Sequence, residues 1–76
     1  MRRSFVMPSI DSVVRQIERR GYDVVIHRLG DRVELHATPI GGGRELHVSR
    51  CEGDDVDSTL QCAIELAKMV GVEVQG

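Results

Sequence analysis

The sequence predicts an α+β domain in which two helices cover one face of a three-stranded antiparallel sheet, in the order α-β-β-β-α. Two segments with apolar residues three or four positions apart predict the helices, and three shorter segments of alternating apolar and polar residues between them predict the strands. Seventy-six residues are enough for one domain. We expect residues 1–7 to form an N-terminal tail or a short edge strand, and residues 8–76 to form the single domain.

The first helix is predicted over residues 9–20. Ser9 is a favourable N-cap, and Gly21 suits the left-handed conformation that ends many helices. The apolar stripe that should face the core consists of Ile10, Val13, Val14 and Ile17.

Three strands are predicted next, over residues 22–28, 32–38 and 45–50. Gly30-Asp31 is a two-residue hairpin signal, and such a turn fixes the register of the first two strands. The pairs that it predicts are His27 with Glu34 and Val25 with His36.

The third strand follows a longer connection that contains three consecutive glycines, 41–43. We predict that Ala37 lies opposite Leu46, so that Leu46 and Val48 point toward the helices. The outward face of the sheet would then contain Val25, His27, Glu34, His36, Glu45, His47 and Ser49.

The second helix is predicted over residues 57–70, with Asp55, Asp57 or Ser58 as its N-cap. Its main apolar stripe is Leu60, Ala63, Ile64, Ala67 and Val70, widened by Leu66 and Met69. Residues 72–74 alternate and predict a short extra strand that pairs with Ser4-Phe5-Val6.

Composition narrows the classes of protein. The chain is 41% hydrophobic and contains one Phe, one Tyr and no Trp, so its core is small and homodimerisation is a common remedy. No apolar run approaches the length of a membrane span. The two cysteines lack a metal-type spacing and no signal peptide is evident, so we expect a cytoplasmic protein with reduced thiols. Met7 is a second candidate start of translation.

The three histidines offer a candidate site on the outward face, one on each predicted strand. His27, His36 and His47 could bind zinc, with Glu34 or Glu45 as a fourth ligand, or could form a pH-sensitive interface. The simplest interpretation is a solvated polar face, because alternation alone places polar residues outward.

No catalytic constellation stands out. The three glycines join two strands and do not open a helix, so they do not predict a phosphate-binding loop. Cys51 and His47 have no evident orienting partner for nucleophilic chemistry. We therefore predict a non-enzymatic protein without a cofactor.

Charge is distributed unevenly along the chain. The last 26 residues carry six acids against Lys68 alone, and four of those acids, Glu52, Asp54, Asp55 and Asp57, lead into the second helix. We call these four residues the acidic entrance. The first 22 residues carry five arginines against two acids. A nucleic acid could therefore bind the N-terminal half, through Arg2, Arg3, Arg15, Gln16, Arg19 and Arg20.

The element order resembles the double-stranded-RNA-binding domain over residues 8–71. That family holds phosphates with lysines at the start of its last helix, where this chain has Asp55-Val56-Asp57. Its first loop carries a Gly-Pro-x-His-type motif, where this chain has Leu29-Gly30-Asp31-Arg32. Because carboxylates repel phosphate, we expect that duplex RNA is not the ligand.

A second resemblance covers residues 23–71. The hairpin, the third strand, the acidic segment and an Ala/Leu-rich helix are similar to the small HicB-type antitoxin domain, which works by covering a partner protein. That resemblance implies a binding module for another protein. We therefore predict that the acidic entrance and the three histidines contact a protein partner with a basic surface.

Overall fold

The computed structural model describes residues 8–74 and has the predicted element order. Its elements are α1 (Ile10–Arg19), β1 (Tyr22–Arg28), β2 (Arg32–Pro39), β3 (His47–Glu52) and α2 (Val56–Met69). The strands form an antiparallel sheet in the order β1-β2-β3. The predicted α+β fold class is confirmed. The predicted tail, 1–7, and the strand within it lie outside the described residues.

Helix α1 begins and ends as its sequence predicts. The Ser9 hydroxyl oxygen accepts a hydrogen bond from the Ser12 main-chain N–H at 3.1 Å and so caps the helix. Val13 and Ile17 are fully buried. Gly21 follows with a φ of 104°, which a glycine adopts without the strain that a Cβ would cause.

The β1–β2 hairpin has the predicted register. His27 lies opposite Glu34 and Val25 opposite His36. At the turn, the Leu29 N–H donates to the Arg32 carbonyl at 2.9 Å. A two-residue turn leaves the chain no freedom to slip, so the sequence was sufficient here.

The predicted β2–β3 register is wrong by one residue. His47, and not Leu46, lies opposite Ala37, and Val48 lies opposite His36. Because side chains alternate along a strand, this shift turns every β3 side chain to the other face. His47 and Ser49 therefore point toward the helices, and Leu46 precedes the strand with 55% of its surface exposed.

Contacts with α2 account for the observed register. The Cys62 thiol donates to the Ser49 carbonyl at 3.0 Å and lies 3.3 Å from the Ser49 hydroxyl oxygen. Ser49 is only 3% exposed. The small side chain of Ser49 lets α2 approach β3 closely, and its hydroxyl has the Cys62 thiol as a hydrogen-bond partner. A polar residue can therefore occupy the inward side of β3.

Helix α2 has Asp55 as its N-cap, one of the three predicted residues. At its other end, the Val72 N–H donates to the Ala67 carbonyl at 2.8 Å and the Gly71 N–H donates to the Lys68 carbonyl at 3.1 Å. These two bonds form a Schellman motif, with Gly71 at a φ of 79°. Residues 72–74 form no regular strand, so this part of the prediction is wrong.

Both helices lie on the same face of the sheet. Helix α1 contacts β1 and α2, whereas α2 contacts β2 and β3. The buried hydrophobic residues between these layers are Val13, Ile17, Val33, Leu35, Ala37, Leu60, Cys62, Ala63, Leu66, Ala67 and Val70. Within residues 8–74, no helix is long and apolar enough to cross a membrane.

Candidate functional site

The face of the sheet opposite the helices, which we call the outward face, presents two rows of side chains across all three strands. Val25, His36 and Val48 form one row. His27, Glu34 and Arg50 form the next row. Val25 is 46% exposed. The face thus has an apolar and histidine-bearing row beside a charged row.

The charged row is joined to His36 by a short network. Glu34 Oε1 lies 3.1 Å from His36 Nε2, and Glu34 Oε2 accepts a hydrogen bond from Arg50 Nε at 3.0 Å. The hydrogen bonds from His36 and then Arg50 hold the pKa of the Glu34 carboxyl below its usual range. The His27 ring lies 4.4 Å from the His36 ring, tilted by 51°. The side chains are therefore held in place by one another.

His47 does not belong to this face, contrary to the sequence prediction. Its Nε2 is buried and has no hydrogen-bond partner within residues 8–74; the Glu45 carboxylate is 3.6 Å away. Its ring meets the edge of the Tyr22 ring at 5.7 Å. The predicted zinc ligands are therefore divided between two faces. The part of the chain that the structure describes contains no group of three His, Cys, Asp or Glu residues placed to hold a metal ion.

Two hydrogen bonds join the acidic entrance to the end of β1 and to the β1–β2 turn. The Gly53 N–H donates to the Asp31 carbonyl at 2.6 Å, and the Arg28 guanidinium donates to the Asp54 carbonyl at 3.0 Å. A side chain at Gly53 would meet the Ser58 hydroxyl at 2.7 Å. Glycine at this position is therefore required both by this contact and by its φ of 87°.

The four carboxylates of the acidic entrance are exposed. None of them forms an ion pair with another residue in the range 8–74. The Ser58 hydroxyl beside Asp55 holds the pKa of that carboxyl below its usual range. Glu52 lies opposite Arg32 on the outward face, so the acidic entrance begins where this face ends. The two predicted contact surfaces are therefore continuous.

The arginines of α1 do not form a single basic stripe. Arg15 and Arg19 are exposed, but Asp11 and Glu18 are exposed on the same ten-residue helix. Gln16 is engaged within the helix, where its amide donates to the Ser12 carbonyl at 3.3 Å. Arg20 is exposed at the helix end, and Arg2 and Arg3 lie outside the described residues.

The two cysteines lie on the inward side of the sheet and are both free thiols. Cys62 is fully buried and Cys51 is half-buried. Burial, together with the neighbouring Cys62 thiol, raises the pKa of the Cys51 thiol to about 11. Cys51 is thus a poor nucleophile at neutral pH, because the thiolate is the reactive form.

Sequence reasoning missed Val48 and Arg50 as members of the outward face. The alternation of residues 45–50 favours the wrong register, because its apolar residues, Leu46 and Val48, would both point toward the helices. The signal that decides is the small polar Ser49 opposite the cysteine of α2, and it is visible only once the elements are packed.

Comparison of the chain with protein-family models, with curated proteins and with solved structures found no match in any of the three. The chain has an α-β-β-β-α topology, and none of the three comparisons confirms either of the families named above.

Proposed function

We propose that this domain is a protein-binding module that contacts its partner through the outward face and the adjoining acidic entrance. The observation that carries the proposal is the row of Val25, His36 and Val48, which lies on the side of the sheet away from both helices, with Val25 exposed and the other two half-buried. An apolar row bordered by polar side chains has the anatomy of a protein interface, in which a desolvated centre is surrounded by a polar rim.

The ordered network beside this row supports the same proposal. Glu34 already contacts His36 and Arg50 at hydrogen-bond distance before a partner binds. Side chains that are immobilised in the free protein lose little entropy on binding, so more of the contact energy appears as affinity.

The acidic entrance adds a preference for partner charge. Four exposed carboxylates at one end of the face favour a partner that brings Lys or Arg to that end, and such pairs at an interface rim chiefly accelerate association. One carboxylate, Asp55, has a local partner, because it lies at the N-cap position and hydrogen-bonds the Ser58 side chain. The other three are left for a partner.

The resemblances to the double-stranded-RNA-binding domain and to HicB-type domains enter the proposal differently. The first contributes the element order without its ligand, because Asp55 and Asp57 stand where that family needs phosphate-binding lysines. The second contributes the class of partner, a protein. The proposal itself rests on the outward face.

Affinity capture from the native host tests the proposal. The tagged chain is compared with His36→Ala/Val48→Ser, which removes the centre of the face, and with Asp54→Asn/Asp57→Asn, which removes charge but leaves Asp55 at the N-cap position. We expect the first variant to bind its partner with an affinity lower by about tenfold or more, since central interface residues each contribute about 1–2 kcal/mol. The second variant should bind more slowly and with a weaker salt dependence.

The matched control is Arg15→Ala/Arg19→Ala, which changes exposed residues on the helix side of the molecule. The proposal is supported if the same protein is captured after nuclease treatment and by the Arg15→Ala/Arg19→Ala control, but is not captured by His36→Ala/Val48→Ser. A partner that is lost with the arginine variant or with nuclease would instead indicate nucleic-acid binding. Capture that is the same for every variant would refute the assignment of this face.

A further inference from the structure

Strand β1 is an edge of the sheet, and its main-chain groups can be divided by direction. The Leu29 N–H bonds to the Arg32 carbonyl and the Ile40 N–H bonds to the Gly21 carbonyl, each at 2.9 Å. Hydrogen-bonded and non-hydrogen-bonded positions alternate along an antiparallel pair. The odd-numbered residues from 21 to 29 therefore bond to β2, and the even-numbered residues of β1 direct their main-chain groups away from it.

Those outward-directed groups belong to Tyr22, Val24, Ile26 and Arg28. No described strand lies beside them, because β1 is the first strand in the order β1-β2-β3. A row of free N–H and C=O groups is a template for another strand, and natural edges usually carry charges, prolines or bulges that prevent such pairing.

The β1 edge carries no such protection at its centre. Residues Val24, Val25 and Ile26 are consecutive, β-branched and uncharged, and Val25 and Ile26 are 46% and 38% exposed. Each edge strand carries two charged residues, but those of β1, Asp23 and Arg28, lie near its ends. On β3, by contrast, Arg50 lies within the strand and Glu52 at its end. Of the two edges, β1 is therefore the one suited to pairing.

We propose that the occupant of this edge is a second copy of the chain, whose β1 pairs with this β1 in antiparallel fashion about a two-fold axis at Val25. The two copies then share one continuous sheet, in the order β3-β2-β1-β1-β2-β3. This inference concerns the main-chain edge of β1 and does not depend on the partner-binding proposal, although the side chains of Val25 and His27 also belong to the outward face.

The register follows from the free main-chain groups. With Val25 opposite Val25 of the second copy, Val24 lies opposite Ile26, and Tyr22 lies opposite Arg28. These are the residues whose N–H and C=O groups point outward, so all of them become paired. All seven residues of β1 take part, whereas a shift of the axis to either side leaves strand ends unpaired.

The side chains are complementary in the same register. On the outward side, Asp23 lies opposite His27 of the second copy, so that a carboxylate acceptor meets an imidazole, and two valines meet at the axis. On the helix side, Val24 meets Ile26. Opposite partners such as these stabilise antiparallel pairs, whereas like charges would destabilise them.

The edge is also clear of its own long side chains. The Tyr22 ring leans across the sheet to His47, 5.7 Å away, and the Arg28 guanidinium reaches the Asp54 carbonyl at 3.0 Å. Val24 packs against the core, whereas Ile26 remains 38% exposed. The two-fold axis places the covered half of one β1 beside the uncovered half of the other, so the exposed Ile26 gains a neighbour.

Sedimentation equilibrium of the full chain over a wide concentration range is the first test. We expect a monomer–dimer equilibrium that Ile26→Pro shifts to monomer, because proline removes an N–H that the proposed dimer uses and the monomer does not. The matched control, Ile26→Ala, keeps that N–H and should retain dimerisation. Circular dichroism confirms that both variants fold. A wild-type chain that stays monomeric throughout, or a folded Ile26→Pro variant that still forms a dimer, overturns the proposal.

Cross-linking tests the register without relying on proline. Val25→Cys places two thiols at a non-hydrogen-bonded pair with Cα atoms about 4.5 Å apart, within the range of a disulfide. Oxidised glutathione should convert this variant to a covalent dimer linked through position 25, as peptide mass spectrometry would show. Asp23→Cys is the control, because its thiols would lie about 13 Å apart along the strands. Equal cross-linking of the two variants overturns the register.

Discussion

The two faces of the sheet are built on opposite principles, although the same three strands supply both. The inward face contributes Val33, Leu35 and Ala37 to the core, and all three are fully buried. The outward face places Glu34 and His36, the residues between them, in a network with Arg50. Adjacent residues of one strand thus pack in the core on one side and form a polar network on the other.

Ionisable groups show the same contrast. On the inward side, burial raises the pKa of the Cys51 thiol and so favours its neutral form. On the outward side, hydrogen bonds lower the pKa of the Glu34 carboxyl and so favour its charged form. Burial thus favours a neutral thiol on the inward side, whereas hydrogen bonds favour a charged carboxylate on the outward side.

The largest predicted effect separates two neighbouring residues of β2. Leu35→Ala should lower the free energy of unfolding by about 2–5 kcal/mol, because it leaves a cavity in a fully packed layer. His36→Ala, one residue away, should change it by no more than about 1 kcal/mol, since surface substitutions usually cost little. Urea unfolding of both variants measures the difference. Equal costs would mean that the outward face is as structural as the core.

The contrast between the faces also explains what the sequence could predict. The hairpin register was accessible because the two-residue turn at Gly30-Asp31 admits one pairing. The connection before β3 is longer and contains three glycines, so it imposes no register. Without a register fixed by a short turn, the apolar alternation of β3 predicted that Val48 points inward. The residue that points inward is Ser49.

The outward face was consequently predicted in part. Its β1 and β2 members, Val25, His27, Glu34 and His36, follow from the hairpin alone. Its β3 members depend on the packing of α2, because the Cys62 thiol takes the Ser49 carbonyl as its acceptor. Local periodicity contains no information about that contact, so the inward position of His47 could not be derived from it.

A second prediction concerns stability at alkaline pH. The pKa of Cys51 rises from 9.0 to about 11 on folding, so between these values the folded state retains a proton that the unfolded state has lost. Stability should therefore fall as the pH rises from about 9 to about 11. Unfolding free energies of the wild type and Cys51→Ser, compared across this range, isolate the contribution of the thiol.

Serine does not ionise in this range, so Cys51→Ser should show a shallower loss of stability than the wild type. Absorbance of the thiolate in the ultraviolet follows the same titration directly. Parallel stability curves for the two proteins would show that the inward face does not favour the neutral thiol.

The smallest predicted effect is on stability at acidic pH, and it involves Glu34 of the outward face. The folded pKa of Glu34 is below its usual value of 4.5 because His36 and Arg50 hydrogen-bond its charged form. The contribution of Glu34 to the free energy of unfolding is therefore present above about pH 4.5 and is lost as the pH falls through the folded pKa. Carboxyl-carbon NMR should show Glu34 titrating below an ordinary glutamate, and Glu34→Gln should flatten the loss of stability in acid.

Glu18→Gln is the matched control, because it removes an exposed carboxylate that makes no ion pair with residues 8–74. Replacing either His36 or Arg50 by Ala should raise the pKa of Glu34, since each residue hydrogen-bonds the charged carboxylate. If neither substitution moves the Glu34 titration, the network does not exist in solution. The outward face would then be a set of independent solvated side chains, and its ordering could not contribute to the recognition of a partner.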